Sequence, residues 1–162
     1  MPNRKNELLL VDDDPSDVEL TVHALGQYRA NHTIHVAEDG KEALDYLFCR
    51  GPHEKGNFEE RPWLILLDLK LPKVNGLEVL KEIRADARTR AIPVVIMTSS
   101  KEVRDVVEAY RLGVNGFIQK PVGFDDFRKV VSQIGAFWLD ANQPPPREAF
   151  GDGTPPTPST VC

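Results

Sequence analysis

Cysteine is scarce in this chain of 162 residues: Cys49 and Cys162 stand far apart, in no metal-ligand spacing. Two such residues exclude a disulfide framework or a thiolate zinc site as the basis of the fold. No apolar run approaches the roughly 20 residues of a membrane-spanning helix. Met1–Glu7 leads straight into a short apolar strand, so neither a signal peptide nor a membrane partner is expected. Runs of Lys or Arg are also missing. With 20 basic against 25 acidic residues the net charge is −5, which argues against a nucleic-acid partner. Internal repeats are absent. What remains is an acidic, cytoplasmic, single-domain chain whose 41% apolar content is enough for a real core.

The chain is organised around Trp63-Leu64-Ile65-Leu66-Leu67-Asp68-Leu69-Lys70-Leu71-Pro72. Its apolar run is too short for a helix and is closed by Pro72, the pattern of a strand buried on both faces of a parallel sheet. Asp68 falls where that strand ends. In open α/β sheets ligands bind just beyond the carboxyl ends of the strands, so a carboxylate there is a candidate magnesium ligand or phosphoryl acceptor. The plainer alternative is that Asp68 only ends a strand or caps a turn.

The rest of the chain bears on that choice. Glu7–Asp12 forms a first strand ending in Asp12-Asp13-Asp14. Asp14 is expected as the N-cap of a helix that opens at Pro15 and packs Val18, Val22 and Leu25. Thr33–Ala37 is a second strand, and Ala43, Leu44, Leu47 and Phe48 stripe a second helix. Arg50 to Pro62 is a surface loop rich in Gly, Pro, His and charge. Asn75-Gly76 starts a third helix, and Pro93–Met97 is another buried strand, ending in Thr98-Ser99-Ser100. Val103, Val106, Val107 and Tyr110 stripe a fourth helix that Gly113 stops. Gly116–Gln119 is a fifth strand before Lys120-Pro121, and a last helix runs from about Phe124 to Leu139.

Five strands alternating with five helices predict a doubly wound, five-stranded parallel sheet of flavodoxin-like order 2-1-3-4-5 with right-handed crossovers. The first and third strands are then neighbours at the switch point, and Asp12, Asp13 and Asp68 converge on one crevice. A main domain over 1–140 is followed by 141–162, which holds six of the thirteen prolines and reads as an extended or disordered Pro-rich tail or arm.

Asp12-Asp13, Leu67-Asp68, Met97-Thr98-Ser99 and Lys120-Pro121, each after an apolar strand and in this order, resemble the receiver domain of bacterial response regulators. The resemblance covers residues 7 to about 139. It implies that Asp68 is the phosphoacceptor, taking a phosphoryl group from a sensor histidine kinase. Asp12, Asp13, Asp68 and the backbone carbonyl of Lys70 would hold Mg²⁺, with Mn²⁺ or Ca²⁺ as substitutes. Lys120 would reach the phosphoryl oxygens, a role compatible with the plainer reading of a salt bridge to the acidic cluster. Thr98 and Phe117 would be the switch pair, changing the surface of the fourth helix, fifth strand and fifth helix. Phe117 also fits an ordinary core aromatic. The Lys120–Pro121 bond is expected to be cis.

Two departures from the family pattern stand out. Lys70 and Ser100, two residues beyond Asp68 and Thr98, flank the path of the hydrolytic water and should tune phosphoryl lifetime. The loop before Trp63 is longer than in chemotaxis-type receivers. That loop, the Leu66–Lys73 string and Phe137-Trp138-Leu139 resemble single-domain regulators paired with phytochromes. A phosphorelay signalling protein rather than an enzyme is expected. Without an output domain in 141–162, output should pass through a partner or a homodimer contact at Phe137 and Trp138. The alternatives are a receiver-like scaffold working without phosphorylation and a magnesium-dependent phosphohydrolase. The latter places a general acid where this chain has Lys70.

Overall fold

The computed structural model describes residues 6–28, 32–54, 56 and 61–152. Among them the chain runs β1 (Asn6–Val11), α1 (Pro15–Leu25), β2 (His32–Ala37), α2 (Gly40–Leu47), a 3₁₀ turn (Gly51–His53), β3 (Leu64–Leu67) and α3 (Gly76–Ala85). It continues with β4 (Val94–Thr98), α4 (Val103–Arg111), β5 (Gly116–Gln119), α5 (Phe124–Gly135), a π-helical turn (Ala136–Ala141) and a second 3₁₀ turn (Arg147–Ala149). All strand pairs are parallel, and the sheet order is β2-β1-β3-β4-β5, as the alternating pattern predicts. No described helix is long and apolar enough to cross a membrane.

Successive strand residues point to opposite faces of the sheet, which divides the core in two. Leu9, Val11, Ile65, Leu67, Val94 and Ile96 pack with Ala43, Leu44 and Leu47 of α2, Val79, Leu80 and Ile83 of α3, and Ala109 of α4. Leu8, Leu10, Leu64, Leu66, Val95 and Met97 meet Ala24 and Leu25 of α1 and Phe127, Val131 and Ile134 of α5. Burial on both sides explains why β3 and β4 are apolar throughout.

The apolar stripes are covered unevenly. On α1 Thr21, Ala24 and Leu25 are buried and Val18 packs half-buried against the same core, whereas Val22, expected on that face, is exposed. On α4 only Ala109 is buried, and Val103, Val107 and Tyr110 face solvent. Periodicity reveals an apolar stripe, but not whether anything in the same chain covers it. The last helix stays α-helical only to Gly135, where a side chain would collide with the Tyr28 ring. The wider turn that follows, closed by the Asn142 N–H on the Phe137 carbonyl, buries Leu139 five positions after Ile134 and leaves Phe137 exposed.

The segment after Asp140 is not a free tail as far as residue 152. Phe150 packs against the α2–α3 face beneath the Arg61 guanidinium, 4.4 Å from its ring centroid, and the Gly151 N–H donates to the Ala87 carbonyl at 2.9 Å. Pro155-Pro156-Thr157-Pro158 and Cys162 lie outside the described residues.

Candidate functional site

Register brings the acids together. Val11 of β1 pairs with Leu67 of β3, and the Asp68 N–H donates to the Val11 carbonyl at 2.9 Å. Asp12 and Asp68 therefore leave the sheet side by side. Both are buried, whereas Asp13 is exposed. One carboxylate oxygen from each of the three lies within 4.8 Å of the others.

Lys120 enters from β5. Its N–H donates to the Thr98 carbonyl at 2.7 Å, continuing the sheet ladder by one rung. Its ammonium stands 2.9 Å from Asp12 Oδ2, 2.8 Å from Asp68 Oδ2 and 2.8 Å from Asp17 Oδ2. The other oxygens of the two buried acids are held by backbone: Asp14 N–H donates to Asp12 Oδ1 at 3.0 Å, and Leu69 N–H to Asp68 Oδ1 at 2.7 Å. Asp14 itself accepts from the N–H groups of Ser16 and Asp17 and caps α1, as expected.

Gly76, the first residue of α3, lets the helix start press directly on this loop. A Cβ there would collide with the Asp68 carbonyl and the Leu69 Cα, and the Gly76 N–H donates to the Leu69 carbonyl at 2.9 Å. The position of Asp68 is thus fixed from below by the sheet and from the side by α3.

Burial pushes the Asp12 carboxyl above its ordinary range, and the Asp14 N–H and Lys120 only partly offset this. For Lys120 burial opposes the charge, but hydrogen bonds to Asp17, Asp68 and Asp12 outweigh it and hold the ammonium above its usual value. Removing the buried ammonium would leave buried carboxylate charge uncompensated.

Thr98 is fully buried at the end of β4, and its Oγ1 accepts the Ser100 N–H at 3.2 Å. Ser100 in turn donates its hydroxyl to the Asp105 carboxylate on α4. Phe117, paired with Ile96 across β4 and β5, is half-buried against the α2–α4 face. The Lys70 side chain is exposed beside the crevice. Phe137 and Trp138 pack edge to face, 4.9 Å between ring centroids, at the other end of α5 and away from the acids.

The expected cis bond at Lys120–Pro121 is absent: no peptide bond among the described residues is cis. The trans form is the intrinsic preference of an X–Pro bond, and it delivers Lys120 to all three carboxylates. Asp17 was not foreseen as part of this cluster. Its only sequence signal is its place in the first turn of α1, where an acid is explained by the helix dipole alone.

Residues 8–132 match the family model of the response regulator receiver domain. The chain belongs to that family. This receiver is 38% identical over 138 residues to the response regulator Rcp1 of a Synechocystis species, covering 85% of this chain and 92% of Rcp1. The crystal structure of Mn²⁺-bound Rcp1 superimposes with a TM-score of 0.82 at 37% identity, over 87% of this chain and 99% of that one. The phosphorylated cyanobacterial phytochrome response regulator RcpA matches with a TM-score of 0.82 at 36% identity, again over 87% and 99%. The bacteriophytochrome response regulator RtBRR is 48% identical, with a TM-score of 0.67 over 87% of this chain and 84% of its own.

The acidic pocket of this receiver suits a divalent cation. Three carboxylates, one of them open to solvent, form an all-oxygen donor set of the kind that hard divalent cations take.

Proposed function

We propose that this receiver is a phosphorelay response regulator that accepts a phosphoryl group on Asp68 from a sensor histidine kinase of the phytochrome class. The observation that carries the reading is the meeting of Asp12, Asp13 and Asp68 within 4.8 Å, with the Lys120 ammonium 2.8 Å from Asp68. In the transfer Asp68 Oδ2 attacks phosphorus, the P–N bond to the kinase histidine breaks, and a mixed anhydride forms. Asp12, Asp13, Asp68 and the Lys70 carbonyl would hold Mg²⁺, which supplies positive charge for the phosphoryl oxygens.

The protein's own groups do the rest. Lys120, already seated against Asp68, gives the phosphoryl oxygens a fixed cationic partner. Thr98 exchanges its bond with the Ser100 N–H for one to the phosphoryl group, and Phe117 moves further into the core beside it. The change is read on α4, β5 and α5, where Val103, Val107, Tyr110 and Phe124 are exposed. A homodimer through that face and the Phe137–Trp138 pair fits its apolar character. Exposed Lys70 and buried Ser100 tune how long the phosphoryl group lasts, and Lys70→Asn should change the dephosphorylation rate. Residues 1–140 are the working domain, and Phe150 anchors the segment that follows it as far as residue 152.

The test is intact mass after incubation with Mg²⁺ and a small phosphodonor. One added phosphoryl group in the wild type and none in Asp68→Asn supports the reading. A specific observation favours a second reading: Lys120 already satisfies three carboxylates, so the fold can hold together as a phosphate-independent scaffold. No mass gain at any Mg²⁺ concentration would select that scaffold.

A further inference from the structure

A second cluster of ligand-bearing side chains lies away from the acidic crevice, at the β2 edge of the sheet. His35 comes from β2, Glu42 from the first turn of α2, and His53 from the 3₁₀ turn in the long loop that precedes β3. Their donor atoms all lie within 4.8 Å of one another. The His35 ring stacks on Tyr46 with centroids 4.0 Å apart, and His53 stands edge-on to both at 5.5 and 5.3 Å.

Two observations make this more than a packed aromatic group. His35 Nε2 is buried and has no hydrogen-bond partner, alone in this among the buried side-chain nitrogens and oxygens of the described residues. Leaving a buried polar atom unpaired is costly, so a partner belongs there. Meanwhile Glu42 Oε2 is oriented by the Glu38 N–H at 3.0 Å, the kind of second contact that fixes a ligating carboxylate.

We propose that His35, Glu42 and His53 form a binding site for a borderline transition-metal ion of the Zn²⁺ class, clipping the α2–β3 loop to the edge of the sheet. Two imidazoles and a carboxylate, with water in the fourth position, are a donor set that zinc accepts at about 2.0–2.2 Å. Donor atoms that share a tetrahedral ion at that distance stand about 3.4 Å apart, inside the 4.8 Å within which the three donors here already lie. The same set is a poor match for Mg²⁺, which takes oxygen ligands and keeps its water. The chain thus carries two cation sites of opposite chemical preference.

The experiment is calorimetric titration of the chelator-stripped full chain with Zn²⁺ in saturating Mg²⁺, which keeps the acidic pocket occupied. Thermal melting and the visible absorption of a Co²⁺-loaded sample serve as further readouts. The wild type should bind one Zn²⁺ and gain thermal stability. His53→Gln, a change in a surface turn, should weaken binding by about tenfold or more and abolish the gain, and Glu42→Gln should weaken it too. No saturable Zn²⁺ binding in Mg²⁺ would overturn the proposal. So would binding that survives both substitutions, or that is instead lost in Asp13→Asn.

Discussion

Asp17 and Lys120 are 103 positions apart in the chain and meet at 2.8 Å. Asp17 is the one partner of the buried ammonium that stands outside the three-carboxylate cluster, a quarter exposed on the first turn of α1. It ties α1 to the end of β5 across the mouth of the crevice. Asp17→Asn should therefore lower stability by about 1 kcal/mol, because Lys120 keeps two carboxylates. Urea unfolding checks this: the midpoint should fall with the slope unchanged, and an unmoved midpoint would show the pair to be energetically idle.

Cation binding should weaken on acidification earlier than ordinary carboxylates would require. The Asp12 value lies above that of an unfolded aspartate, about 3.9, because burial disfavours its charge. Protons therefore compete with Mg²⁺ for Asp12 above that range, with a loss approaching about tenfold per pH unit where one proton is displaced. Lys120 behaves in the opposite sense at the other end of the scale. Its contribution to stability is complete below about pH 10.4 and is lost only as pH rises through the higher folded value. Calorimetric Mg²⁺ titrations at pH 5 and pH 7.5 test the acid limb. Equal affinities would refute the role given to Asp12.

Gly76→Ala should disturb the site without touching any charged group. The atoms a methyl would strike are backbone of Asp68 and Leu69, which cannot rotate away. A cost of about 1–3 kcal/mol is expected, the usual range for overpacking, together with slower phosphorylation of Asp68. A variant with wild-type melting and labelling would mean that α3 does not hold the acceptor loop.

These sites differ in how far the sequence discloses them. Asp12, Asp68 and Thr98 are legible because buried strands must be apolar, so the first polar residue marks the sheet's carboxyl edge. Lys120, after the half-buried β5 and polar Gln119, is legible only through the family resemblance. The α4 stripe of Val103, Val107 and Tyr110 is legible as a pattern but not as a location, since amphipathicity is the same whether the partner lies in the chain or beyond it. Asp17–Lys120 and His35–Glu42–His53 are not legible at all. Each joins residues from separate elements, and only tertiary packing sets their spacing.

Phe137 is 52% exposed in the turn that follows α5. Phe137→Ser should leave folding stability within about 0.5 kcal/mol, as for other surface changes. It should shift sedimentation toward the monomer if this residue forms the dimer contact. Trp138→Ser, at a half-buried position packed on the α1–α5 face, should cost more stability. Unchanged sedimentation of Phe137→Ser would remove Phe137 from the contact.

The anchored arm offers a practical handle. Phe150 and Gly151 touch Arg61 and Ala87, which lie before β3 and after α3, at the end of the sheet opposite Asp68. A dye placed on residue 152 itself would therefore sit at the end of the sheet away from the crevice. Protein tethered there should present its acids to a kinase unobstructed, so that docking and labelling can be timed on an immobilised sample.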